Sequence, residues 1–106
     1  MTLKYRVRIL PDALLDAKAI YQWIGQESPG AAEKWLNGLL AVVDSLEQMP
    51  FRCPIAPESE VLGMEIHHYL YNRCYRVLYT VTEDVVRIHH IRHTSRQWMT
   101  EEEFKG

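Results

Sequence analysis

The pattern of the chain predicts an α+β domain in the order β-α-α-β-β-β. In it an N-terminal strand and an antiparallel αα-hairpin pack on one face of an antiparallel sheet. Three observations lead there. Leu3 to Ile9 alternates apolar with cationic side chains, two stretches of helical period meet at Ser28-Pro29, and three strand-like runs follow with only turn-length breaks between them. The 106 residues suffice for one domain, 1–106, with a modest core.

In the first strand, Leu3, Tyr5, Val7 and Ile9 form the inner face, while Lys4, Arg6 and Arg8 face outward and guard an edge against aggregation. Pro11 suits the first turn of a helix, and Asp12 beside it favours the positive end of the macrodipole. Ala13, Ala17, Ile20, Tyr21 and Ile24 then recur at helical spacing, and Gly25 is expected to begin the helix's breakdown. Ser28-Pro29 starts the second helix, whose stripe of Ala32, Trp35, Leu36, Leu39, Val43 and Leu46 runs to Met49. The connection between the two is too short for anything but antiparallel neighbours.

Pro50, Pro54 and Pro57 forbid helix continuation and predict an extended link to the sheet. Strands are predicted at about Met64–Leu70, Cys74–Val81 and Val85–Arg92, with hairpin turns at Asn72-Arg73 and Thr82-Glu83-Asp84. Near the end, Thr100 and Glu103 fit a capping box, and Met99 and Phe104 the flanking hydrophobic staple. One helical turn at most remains before the chain stops.

Alternation in the middle strand puts Tyr75, Val77, Tyr79 and Val81 on one face and Arg76 on the other. A cation there needs solvent, an anion or a partner. The second face of the sheet is therefore expected to stay open and to hold the arginines. Although the net charge is −2, the window from His67 to Trp98 contains Arg73, Arg76, Arg87, Arg92 and Arg96 against Glu83 and Asp84, along with all 5 histidines. A mildly acidic chain with a local basic face suits one directed contact rather than general coating of nucleic acid. Arg76 has Glu65 as its candidate neutral explanation, and Arg96 has the acidic run Glu101-Glu102-Glu103.

The 2 cysteines, Cys53 and Cys74, have no metal-type spacing and read as separate reduced thiols. The pairs His67-His68 and His89-His90 are expected to point to opposite faces, so neither chelates through both members. No cofactor or metal is implied. No run is long enough to span a bilayer and no signal-type stretch opens the chain, so a cytoplasmic address is expected. Trp35 reads as core. Trp23 lies off the main helical stripe and is either a partner surface or a contact within the hairpin, and Trp98 lies near the end.

The element order, with Ser28-Pro29-x-Ala31-Ala32, Tyr75-Arg76-Val77-Leu78-Tyr79 and His93-x-x-Arg96, resembles the RelE/ParE superfamily of type II toxin–antitoxin toxins. The long hairpin and its Ser-Pro start look closer to the ParE branch. The resemblance implies a plasmid-stabilisation toxin that inhibits growth by poisoning DNA gyrase and is neutralised by a cognate antitoxin in a hetero-oligomer. The RelE alternative is a metal-independent mRNA endonuclease acting in the translating ribosome. For that chemistry Arg76 and Arg96 would hold the phosphate and His93 would move the proton. The positions that often carry lysines in such nucleases are His67 and Tyr69 here, and the C-terminal tyrosine is missing. A third alternative is a degenerate antitoxin-binding module without toxicity. Outside catalysis, Arg73, Arg76, Arg87, Arg92 and Trp23 are the candidate binding residues.

Overall fold

The computed structural model describes residues 4–96 and 99–105. Leu3 and Trp98 lie outside the described residues. Strand β1 (Arg6–Ile9) leads into α1 (Pro11–Glu27) and α2 (Pro29–Ser45). A single 3-10 turn (Pro50–Arg52) and a short helix α3 (Glu58–Leu62) precede β2 (His67–Tyr71), β3 (Tyr75–Thr82) and β4 (Val85–His93). Helix α4 (Glu101–Lys105) closes the chain.

The sheet has the order β1-β4-β3-β2. Its three C-terminal strands form the expected antiparallel meander, and β1 joins the far edge parallel to β4. Within β1, Arg6 and Arg8 are exposed while Val7 and Ile9 pack on the core, as the alternation requires.

Ser28 serves both long helices. Its N–H donates to Ile24 O at 3.1 Å to close α1, and its hydroxyl accepts from Ala31 N–H at 3.2 Å to open α2. Helix α1 does not break at Gly25 but runs on to Glu27. A Cβ at Gly25 would lie 3.6 Å from the Cβ of Ala32 on α2, an ordinary van der Waals contact.

Helix α2 ends at Ser45, one turn before the apolar stripe runs out at Met49. Arg52 stops it: the guanidinium donates to the carbonyls of Gln48 (2.6 Å) and Met49 (3.2 Å) and to the Ser45 hydroxyl (2.9 Å). These are the acceptors and the sign of charge that a helix C-terminus wants.

Trp35, Leu39, Val43 and Leu46 from α2 meet Tyr75, Val77, Tyr79, Val86, Ile88 and Ile91 from the sheet in the main core. The Tyr71 hydroxyl donates to the Trp35 carbonyl at 2.9 Å inside α2. That approach requires Gly38, because a Cβ at this position would stand 2.1 Å from the Tyr71 oxygen. His67 stacks on Tyr79, with ring centroids 5.5 Å apart, and Phe51 meets its edge, so its role is aromatic packing.

The turns depart slightly from expectation. Asn72 and Arg73 both take positive φ (52° and 60°), and Cys74 falls in the turn, exposed, rather than opening the strand. The β3–β4 turn is the pair Glu83-Asp84, with φ of 59° at Glu83.

Replacing Gly38 with Ala should lower stability in urea titration, although alanine is the better helix former by about 1 kcal/mol. Tyr71→Phe alone should cost about 1 kcal/mol through the lost hydrogen bond. In the Gly38→Ala/Tyr71→Phe pair the loss should be smaller than the sum of the singles, since removing the hydroxyl relieves the clash. Strict additivity would mean that the two residues do not collide.

Candidate functional site

The second face of the sheet, expected to be open, is covered. Ala56, Ile66, Leu78, Met99 and Phe104 form a separate buried cluster on it, with Leu62 of α3 packed alongside. Two short pieces make this lid, α3 and the C-terminal segment from Met99 to Lys105. Neither would be a stable helix alone. Segment α4 is pinned by the predicted capping box, with Glu103 N–H donating to Thr100 Oγ1 at 3.2 Å and Thr100 N–H to Glu103 Oε1 at 3.1 Å. Met99 and Phe104 are both buried, and full burial of one such side chain is worth roughly 1.5–3 kcal/mol.

Beneath this lid lies Arg76, only 7% exposed. Its two terminal nitrogens grip the Glu58 carboxylate, one of them at 2.9 Å, and its Nε donates to His68 Nδ1 at 3.2 Å. Glu58, itself 1% exposed, accepts a third bond from Met99 N–H at 3.1 Å. Burial would push its carboxyl pKa upward, but the Arg76 bonds and the Met99 amide outweigh that, and the net direction is down. The partner of Arg76 is thus Glu58 and not Glu65, which stands 3.7 Å from His67 instead. Sequence reasoning missed Glu58 because it placed the residue in an extended link.

Arg92, in register with Arg76, donates to Glu103 Oε2 at 2.9 Å. The acidic run near the C-terminus therefore pairs with Arg92, and no ion pair to Arg96 is present among the described residues. Arg87 is half-buried and sits beside Arg8 in the parallel ladder. Arg73 is exposed in its turn. Only part of the expected cationic face, around Arg8 and Arg87, therefore points to solvent.

A bulge shifts the β3–β4 register, so that Leu78 pairs with His90 and Tyr79 with Ile88. His89 is the extra residue. Both His89 and His90 consequently reach Phe104 on the second face, at 4.5 and 5.8 Å between ring centroids. The expectation that these neighbours point apart fails here, since strict alternation holds only in an unbroken ladder. Even so, no group of three or more metal-type side chains gathers among the described residues.

His90 joins three elements. Its Nδ1 lies 3.0 Å from Asp16 Oδ2 of α1 and its Nε2 3.3 Å from the Phe104 carbonyl. Both partners are acceptors, so both nitrogens must carry hydrogen. Burial alone would lower the His90 pKa; Asp16, through its hydrogen bond and charge, and the Phe104 carbonyl raise it overall. Asp16 also accepts from Ile91 N–H at 3.0 Å, which blocks the β4 edge beyond the end of β1. His89 goes the opposite way: burial, then the charges of His90 and Arg87, lower it to about 4.

His93, Arg96 and Trp23 come together elsewhere. His93 is paired with Tyr75 and meets its ring edge-on at 5.2 Å, which puts it on the hairpin face, opposite to Arg76. Its Nδ1 accepts from Ser95 N–H at 3.0 Å. With Ala19, Ile20 and Trp23 of α1, these residues line a groove of about 430 Å³ at the end of the sheet. Trp23 is 67% exposed there, which decides between a surface role and a contact inside the hairpin. The three residues assigned to nuclease chemistry are therefore not assembled: Arg76 is held in its ion pair with Glu58 on the second face, and His93 and Arg96 lie at the groove.

Comparison with known proteins agrees with the fold. The family model described as the ParE toxin of the type II toxin-antitoxin system, parDE, matches residues 7–98. The chain belongs to the ParE toxin family. A structure of the chromosomal ParDE TA system from P. aeruginosa is similar, with a TM-score of 0.69 at 20% identity over 87% of this chain and 98% of that one. A search of curated proteins returns no match. No helix among the described residues is long and apolar enough to cross a membrane.

Two outcomes follow for stability. Arg76→Ala should destabilise the fold by about 3–5 kcal/mol in urea titration, because it strands a buried carboxylate. Arg76→Met combined with Glu58→Leu should recover most of that loss. The stability contributed by His90 should be fully present below its ordinary value of 6.5 and disappear as pH rises through its higher folded value. His89 acts on the other limb, where stability falls as pH drops from 6.5 toward 4. In a pH series of urea titrations, His90→Gln should flatten the alkaline limb; an unchanged alkaline limb would show that the Asp16–His90–Phe104 bridge does not hold.

Proposed function

We propose that this chain is the toxin of a type II toxin–antitoxin module, that it arrests growth by binding and poisoning DNA gyrase, and that a cognate antitoxin neutralises it in a hetero-oligomer. Membership of the ParE family supports the toxin class. The observation that carries the choice of target is the burial of Arg76 in its ion pair with Glu58. Metal-free RNA cleavage needs a cation free to meet the phosphorane, with a proton-transfer group beside it. Here the strand arginine is already neutralised by Glu58, the imidazole at its side, His68, is occupied as the acceptor of its Nε–H, and His93, at the end of β4, is on the other side of the sheet. A protein that works through surface contacts needs neither. It needs a rigid scaffold and exposed anchors, and Trp23 and Arg96 fit that description. A gyrase target also accords with a cytoplasmic location.

Purified chain added to a gyrase supercoiling reaction should block supercoiling and trap the cleaved DNA complex. Expression of the gene alone should stop growth, and co-expression of its antitoxin should restore it. If supercoiling proceeds unchanged while primer extension on translated mRNA shows new cuts, the target is the ribosome instead.

A further inference from the structure

We propose that the groove between α1 and the end of the β3–β4 ladder is a docking site for a protein segment that presents an apolar side chain next to carboxylates. The proposal rests on the reading of a protein that acts by binding other proteins, and it names the chemistry of one such partner.

The groove has two unlike halves. Ala19 and Ile20 make an apolar floor on α1, and the exposed indole of Trp23 forms a wall above it. An indole left in water at the rim of a cleft is a common anchor for a partner's side chain. The cleft, about 430 Å³, has room for a few side chains but not for a folded element. The other half offers hydrogen-bond donors. The Ser95 N–H and hydroxyl both engage Nδ1 of His93, so Nε2 is the ring nitrogen that Ser95 leaves for a partner. Arg96 supplies a guanidinium, and no carboxylate lies within ion-pair distance of it among the described residues. Donors of this kind in a fixed arrangement select an anionic acceptor, and the planar fork of arginine favours a carboxylate or a phosphate.

Phosphate would imply a nucleic acid with a base stacked on Trp23. The charge distribution favours the carboxylate. A nucleic-acid strand needs a basic track along several phosphates. Positive charge here is a spot: in the neighbouring crevice that Arg96 also borders, Arg92 and His90 are already paired with Glu103 and Asp16, so no basic track continues from Arg96. A protein segment needs only one or two carboxylates at a single guanidinium, which this spot provides.

Panning random displayed dodecapeptides against the purified full chain tests this. Enriched sequences should carry Asp or Glu close to Leu, Phe or Trp. Trp23→Ala and Arg96→Glu should each weaken their binding by about tenfold or more, while both variants keep the wild-type circular dichroism and melting curve. Replacing the peptide's acids with Lys should restore binding to Arg96→Glu. The proposal is overturned if nothing is enriched, if the selected peptides ignore both substitutions, or if a single-stranded dodecanucleotide binds at the groove and no peptide does. Peptides that depend on both residues, found together with a wild-type chain inert toward gyrase, would keep the groove and discard only the target.

Discussion

A carboxylate and a guanidinium, both taken out of water, organise the half of this molecule that faces away from the helical hairpin. Arg76 is the second residue of a central strand and is buried, where an unpaired charge is costly. Glu58 meets it with both oxygens and takes a third bond from the Met99 amide. One acidic side chain thereby fastens α3, β3 and the C-terminal segment to each other. An apolar pair could match that stability, but it would not fix register and direction as two parallel hydrogen bonds do.

Because of this contact the sheet has a core on each side. The larger lies under the hairpin and follows ordinary strand alternation. The smaller depends on two helices of 5 residues each, too short to persist without tertiary support. Polar fasteners therefore surround its few apolar contacts: Glu58 with Arg76, Arg92 with Glu103, and His90 between Asp16 and the Phe104 carbonyl. The bulge at His89 turns two consecutive imidazoles toward the same phenylalanine, and their opposite titration shifts follow from what each one touches.

The functional consequence is a division of labour between the faces. Of the five arginines between His67 and Trp98, Arg76 and Arg92 are tied to acids of the same chain. The exposed indole of Trp23 and the guanidinium of Arg96, which has no ion pair among the described residues, are gathered at the end of the sheet, beside α1.

Local signals were enough to read the strand alternation of Val7 and Ile9, the Ser28-Pro29 start of the second helix, the αα-hairpin, the meander and the Thr100–Glu103 box. Each depends on side chains within a few positions of one another, where period and capping chemistry leave little choice. The partner of Arg76, the α3 helix after Pro57, the bulge at His89 and the link from Asp16 to His90 were settled only by the tertiary structure. Asp16 and His90 are 74 positions apart, and Glu58 and Arg76 are 18 apart. Which of several acids reaches a buried cation is decided by packing across such separations, and no local pattern records it.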